Sequence, residues 1–167
     1  MISVDGDTST NDTVLILSNK SANNKIIKNK NSTSYKIFKD KLFMVLKDLA
    51  IKIAKDGEGA TKLLTVNVNN ALKEKEAKKL AKAVISSNLV KSAFYGQNTN
   101  WGRILSSLGS VDANIDIEKI NLSFKSGSKE IILMKKGKPK KYDSKISKEI
   151  MENNCIEIDI NLNLGNH

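Results

Sequence analysis

"CIEIDINLNLG", residues 155–165, is the stretch whose reading decides the fold. Ile156, Ile158, Ile160, Leu162 and Leu164 recur at every second position, with acids and asparagines between them. That alternation is the period of a β-strand with one apolar and one polar face. Upstream, residues 144–152 read as a modest helix, and "EIILM" (130–134) and "KINLSF" (119–124) read as strands. The lysine-rich "KKGKPKK" (135–141) reads as the turn beside them. "KLLTVNVN" (62–69) is a further strand, with Leu64, Val66 and Val68 expected to face the core. Helices are expected over 73–86, with Ala77, Leu80, Ala81, Val84 and Ile85 inward, over 90–94, and within "NTNWGRILSSLGS" (98–110) as far as Leu108, stopped by Gly109. Helices and strands intermix without a regular βαβ rhythm, so the expected class is α+β, mixed sheets flanked by helices, in a single domain spanning 1–167. A strand at the end of a chain is a legitimate sheet edge.

The first third is patterned as strongly. The apolar run Val14, Leu15, Ile16, Leu17 is short enough for a buried strand, and residues 19–34 form an exposed lysine-rich loop. Ser34 is placed to cap a helix in which Phe38, Leu42, Val45, Leu46, Leu49 and Ile53 make one apolar face. That helix should stop near Lys55, with Gly57 in the left-handed C-terminal position. Residues 56–62, "DGEGATK", then form a helix-to-strand corner in which Glu58 sits between two glycines. A turn needs only one of those glycines.

Composition narrows the function. There is no apolar run long enough to span a membrane and no secretory signal, so a cytoplasmic protein is expected. The net charge of +10 comes from 27 lysines and one arginine, Arg103. Recognition of bases and phosphates leans on arginine, and no helix-turn-helix, aromatic stacking motif or arginine cluster is present. Nucleic acid is therefore not the favoured partner, although a lysine-rich module centred on Lys135, Lys136, Lys138, Lys140 and Lys141 stands as the alternative reading. The lone Cys155 cannot form an internal disulfide, and the lone His167, expected to be disordered, gives no relay for a histidine-based triad. Asp5, Asp7 and Asp12 faintly resemble a calcium loop but lack its later glycine and terminal glutamate; a turn network bracing the next strand is preferred, and no metal is expected.

Four segments stand out, in order: "VDGDTSTNDT" (4–13), "DGEGATK" (56–62), "LVKSA" (89–93) and "NWGRI" (100–104). Together they resemble the ornithine acetyltransferases, the bifunctional glutamate N-acetyltransferases of arginine biosynthesis. The resemblance covers essentially the whole chain, with Ser92 where threonine is usual and "GQNTNWG" in place of Gly-x-Asp-Pro-Asn-Trp-Gly. It implies an N-terminal-nucleophile-like fold and an internal part of the family's β chain, a fragment inactive by itself. The nucleophilic threonine, the oxyanion-hole pair and a substrate lysine lie upstream of the first motif in the family, so no catalytic residue is assigned within this chain. The resemblance gives Glu58 contact with the amino-acid substrate; an exposed turn acid is the alternative. Trp101 and Arg103 could line a site or anchor a helix start equally well. The resemblance further implies N-acetylornithine and glutamate as substrates, no cofactor, acetyl-CoA as a substrate of some intact members, and a heterotetramer of α chains with a second β chain. A structural remnant that only pairs with an α chain is a third reading.

Overall fold

The computed structural model describes residues 2–167. β5 (Cys155–Asn161) lies inside a five-stranded mixed sheet rather than at its edge. The order is β1 (Leu63–Asn69), β5, β2 (Asn121–Ser126), β3 (Lys129–Lys135) and the two-residue β4 (Lys138–Pro139), with only the β1–β5 pair parallel. The interior place follows from the side chains: Ile156, Ile158 and Ile160 are each buried, and a strand so apolar on one face gains most with neighbours on both sides. The class is α+β with a mixed sheet and helices, as the alternation predicts.

Register explains which side chains meet. Val66, Ile158 and Phe124 form one row across β1, β5 and β2, and Phe124 continues to Ile131 on β3. A register shift between Leu122 and Ser123 lets two consecutive β3 residues, Leu133 and Met134, both turn into the core. Helices α2 (Glu74–Ser86), α3 (Asn88–Tyr95), α4 (Trp101–Gly109) and α5 (Ser144–Glu152) contribute Leu80, Val84, Val90, Phe94, Ile104, Leu108, Ile150 and Met151 to the same cluster. The Phe94 and Phe124 rings sit 5.1 Å apart, tilted, which ties α3 to the centre of the sheet. Asp143 caps α5 by accepting from the N–H groups of Lys145 and Ile146. The opposite sheet face is polar: Asp159 accepts from Asn67 Nδ2 at 2.7 Å and pairs with Lys125 Nζ at 2.6 Å.

Four expectations are corrected. His167 is not disordered: its backbone exchanges hydrogen bonds with Ala71 in both directions. The helix over residues 33–55, α1 (Thr33–Lys55), is capped by Ser32, whose Oγ accepts from Tyr35 N–H, and not by Ser34, which lies within its first turn. Its apolar stripe has no buried residue. Residues 14–17 form no strand, and they are 71–90% exposed. The apolar pattern in both places is real; what is missing among the described residues is a surface to pack against.

Candidate functional site

The corner after α1 is built by division of labour between its glycines. α1 closes with the Asp56 N–H donating to Lys52 O, and the Ala60 N–H donates back to Gly57 O at 2.9 Å, folding residues 57–60 into a turn. Gly59, not Gly57, takes the left-handed conformation, at φ +67°. Gly57 serves close approach instead: a Cβ there would come within 2.9 Å of Val4 Cγ1. The two glycines thus answer two requirements, and Glu58 is carried between them with its side chain exposed. Glu58 forms no side-chain hydrogen bond or ion pair with any other described residue.

Val4 connects the corner to α3. Its carbonyl accepts from Lys91 Nζ at 2.5 Å. Beside Lys91, Arg103 Nη1 donates to Leu89 O at 2.7 Å and to Ser92 Oγ at 3.0 Å, so the arginine locks α4 to α3. Trp101 is partly buried against the core. The anchoring role for these two residues is therefore the one the geometry displays. Ser92 supplies the hydroxyl that Arg103 holds. Three of the four sequence motifs meet in this way, through Gly57, Val4 and Lys91, with Arg103 of the fourth adjoining.

Two contributors escaped the reading of the sequence. Lys91 lies within the third motif, but nothing in its spacing points toward Val4. Lys62, the last residue of the corner motif, reaches across to donate to Met151 O at 2.7 Å and Asn153 O at 3.1 Å, the carbonyls at the end of α5. Its burial there pushes its pKa below the usual lysine value, partly countered by Glu152. With the Leu63 N–H donating to Asn154 O, Lys62 clamps the corner to the sheet. A lysine near helical carbonyls has no sequence signature when helix and lysine are about ninety residues apart.

Asp5, Asp7 and Asp12 lie in a turn network: Asp5 Oδ1 accepts from the Asp7 N–H, and Ser9 Oγ accepts from the Asn11 and Asp12 N–H groups. Among the described residues no three His, Cys, Asp or Glu side chains converge on a point that could hold a metal ion. A cleft of 440 Å³ is lined by Lys135, Lys140 and Lys141 together with Glu130, Asp143 and Tyr142, and one of 300 Å³ lies beside Glu76 and Asn114. Neither reaches Glu58. Acids interleave the lysines of the larger cleft, which makes it a poor continuous phosphate track. Among the described residues no helix is long and apolar enough to cross a membrane.

The ArgJ family model matches residues 1–167 in full. The chain belongs to the ArgJ family. It is 44% identical to the arginine biosynthesis bifunctional protein ArgJ 1 of Clostridium acetobutylicum, over 99% of this chain and 40% of that protein. It is 41% identical to a protein of Methanopyrus kandleri named glutamate N-acetyltransferase, over 99% of this chain and 42% of that protein. A relative in Postia placenta named as mitochondrial ArgJ is 41% identical over 98% of this chain and 37% of its own length. The crystal structure of ArgJ from Bacillus halodurans superposes with a TM-score of 0.88 at 36% identity, covering 98% of this chain and 75% of that one. This is the family that the four motifs resemble, and the superposition extends to the mixed sheet and its helices. The chain spans about two fifths of the length of the curated relatives it matches. Membership favours the enzyme reading over the lysine-rich binding module.

Proposed function

We propose that this ArgJ-family chain carries the amino-acid-binding corner of an acetyl transfer from N-acetylornithine to glutamate. Glu58 is the contact residue: its carboxylate accepts a charge-assisted hydrogen bond from the substrate α-ammonium and orients that nitrogen. The observation that supports this most directly is the meeting of motifs at the corner, where Val4 sits on Gly57 and Lys91 holds the Val4 carbonyl. An acid left unpaired and exposed on a braced turn is available to a ligand, whereas an acid recruited to hold the fold would be engaged with it.

In this reading the acyl carrier is a threonine on family polypeptide outside these residues. Its Oγ attacks the acetyl carbonyl of N-acetylornithine, the C–N bond breaks, and the hydroxyl proton passes to the leaving amine of ornithine. The amine of glutamate then attacks the resulting ester, and its proton returns to the threonine oxygen. The threonine's own amine acts as base, so the chemistry calls for no histidine. No cofactor is consumed; acetyl-CoA would serve as an alternative donor to the same threonine. The working assembly is a cytoplasmic heterotetramer in which this chain is held by α chains and a second β chain.

The test is an acetyl-transfer assay on this chain assembled with the rest of an ArgJ polypeptide. Glu58→Gln should raise KM for glutamate about 10- to 100-fold, the worth of one charge-assisted hydrogen bond, with kcat changed far less. An unchanged KM removes Glu58 from the site. The 167-residue chain alone should show no transfer, since in this reading the nucleophilic threonine lies outside these residues; robust turnover by the lone chain would refute this division of roles.

A further inference from the structure

Glu58 stands four residues before Lys62 in one short corner. The helix that leads into the corner gives it no fixed footing among the described residues, because α1 has no buried residue. The footing comes from the other side. Lys62 Nζ donates to Met151 O at 2.7 Å and to Asn153 O at 3.1 Å, where α5 ends. Helix C-termini leave carbonyls without helical partners, and the dipole there favours a cation. The Met151 side chain is wholly buried, so the carbonyl that holds Lys62 belongs to a residue set firmly in the core. One residue on, the Leu63 N–H donates to Asn154 O at 2.7 Å, and from Leu63 opposite Cys155 the β1–β5 register begins. Stopping α5 does not require Lys62. Asn153 already ends that helix, its N–H donating to Ile150 O and its Nδ2 to Glu149 O at 2.6 Å. The side that gains from the tie is the corner.

We infer that Lys62 is a positioning residue for Glu58: it ties the substrate corner to the buried end of α5 and so sets where the carboxylate stands. It rests on the role proposed for Glu58 above. Lys62 touches no substrate in this account. It holds the C-terminal side of the turn formed by residues 57–60, while Lys91 holds the other side through the Val4 carbonyl. Between these two ties lie Gly57 and Gly59, the residues with the most backbone freedom, about which an untied turn would swing. With both ties made, the carboxylate is in place before the glutamate amine arrives, and binding does not have to order the turn. A lysine suits this task because its long stem reaches across to α5 and its ammonium has three donors, enough for two carbonyls at once.

The experiment uses this chain assembled with the rest of an ArgJ polypeptide, and a double-mutant cycle with Glu58. Lys62→Met removes the donor and keeps an apolar stem; Lys62→Arg keeps donors at the tip. Lys62→Met should raise KM for glutamate about 5- to 20-fold with kcat within about twofold, and Lys62→Arg should recover most of that loss. Added to Glu58→Gln, Lys62→Met should raise KM by less than about twofold further, because a residue acting through Glu58 then has nothing left to place. Lys78→Met, which breaks an exposed pair with Glu74 on α2, should leave KM unchanged. In the lone chain, Lys62→Met should speed amide exchange at Ala60 and Leu63 about tenfold, with the β5 amides unaffected. A fall in kcat or melting temperature with KM unmoved would make Lys62 a purely structural residue and overturn the inference. So would a KM effect that survives in full beside Glu58→Gln, or corner amides that exchange as in the parent chain. An unchanged KM for Glu58→Gln sinks the proposed function and this inference with it. An effective Glu58→Gln beside an inert Lys62→Met sinks this inference alone.

Discussion

Residues 2–62 and residues 63–167 are patterned alike and folded differently. Both contain apolar residues at helical or strand spacing, yet every buried residue of the described chain lies at Ala71 or beyond. In the second region each amphipathic element found a facing surface: β5 has β1 and β2 at its sides and α2 to α5 contribute to the cover of one face. In the first, α1 and residues 14–17 have apolar side chains that no described residue buries. The lesson is that periodicity reports which face of an element wants to leave water, and says nothing about whether the surface that would take it belongs to the same set of residues. Burial is a property of pairs of faces.

The largest expected effect breaks the comparison directly. Phe124→Ala removes a fully buried ring in contact with Phe94 and should destabilise the lone chain by about 3–5 kcal/mol. The chemically identical change Phe38→Ala on α1 should move stability by about 0.5 kcal/mol or less, because its ring is already half in water. Urea titrations of the two variants measure both. Comparable losses would mean that α1 is packed in solution and that the two regions do not differ as described.

A smaller effect sharpens the contrast through glycine. Gly137 combines φ +69° with backbone on its Cβ side, Glu118 Cα at 2.6 Å and Ile117 O at 2.7 Å. Gly137→Ala should therefore cost about 1–3 kcal/mol. Gly57→Ala meets only the Val4 side chain, on a segment that can shift, and should cost about 0.5 kcal/mol or less in the lone chain. The same Gly57→Ala change should matter more in an assembled enzyme, where displacing Val4 would disturb the corner that carries Glu58. Equal costs in the lone chain would mean that residues 2–5 are fixed as firmly as the connection between β3 and β4 that holds Gly137.

How much could be read from the sequence follows the same division. The alternation at Ile156, Ile158 and Ile160, the span of α5 and the inward face of β1 were all legible, because strand and helix periods are local properties. The interior position of β5 was not, since register and neighbours are decided by pairings between β1, β5 and β2, remote in sequence. The four motifs made the family legible, and the convergence of three of them through Val4 needed coordinates. Glu58 was singled out from its glycine neighbours, but the left-handed position was expected at Gly57: the left-handed residue is Gly59, and Gly57 is the one that Val4 approaches. Lys62 and Lys91 were invisible because a lysine's partner can be any carbonyl within reach of a long, flexible stem.

The smallest expected effect tests the polar face of the folded region against acid. Partial burial by itself would raise the Asp159 carboxyl; hydrogen bonds from Lys125 and Asn67, with the charge of Lys125, outweigh it and hold the pKa below the usual aspartate value. A carboxyl whose folded pKa is depressed binds fewer protons in the folded state than in the unfolded one near that value. Its contribution is present in full above the unfolded pKa and is lost as pH falls through the folded one, from about pH 4 downward. Asp159→Asn should therefore lower stability slightly at neutral pH and flatten the acid limb of a stability-versus-pH profile, leaving the two proteins alike at the lowest pH. The pair is partly exposed, with the Lys125 side chain 38% accessible, so the difference should be modest and should shrink with added salt. On α1 the Asp48–Lys52 pair stands largely in water, so neutralising Asp48 should change stability by a few tenths of a kcal/mol at most; a change as large as that for Asp159 would place a second electrostatic network on the helix.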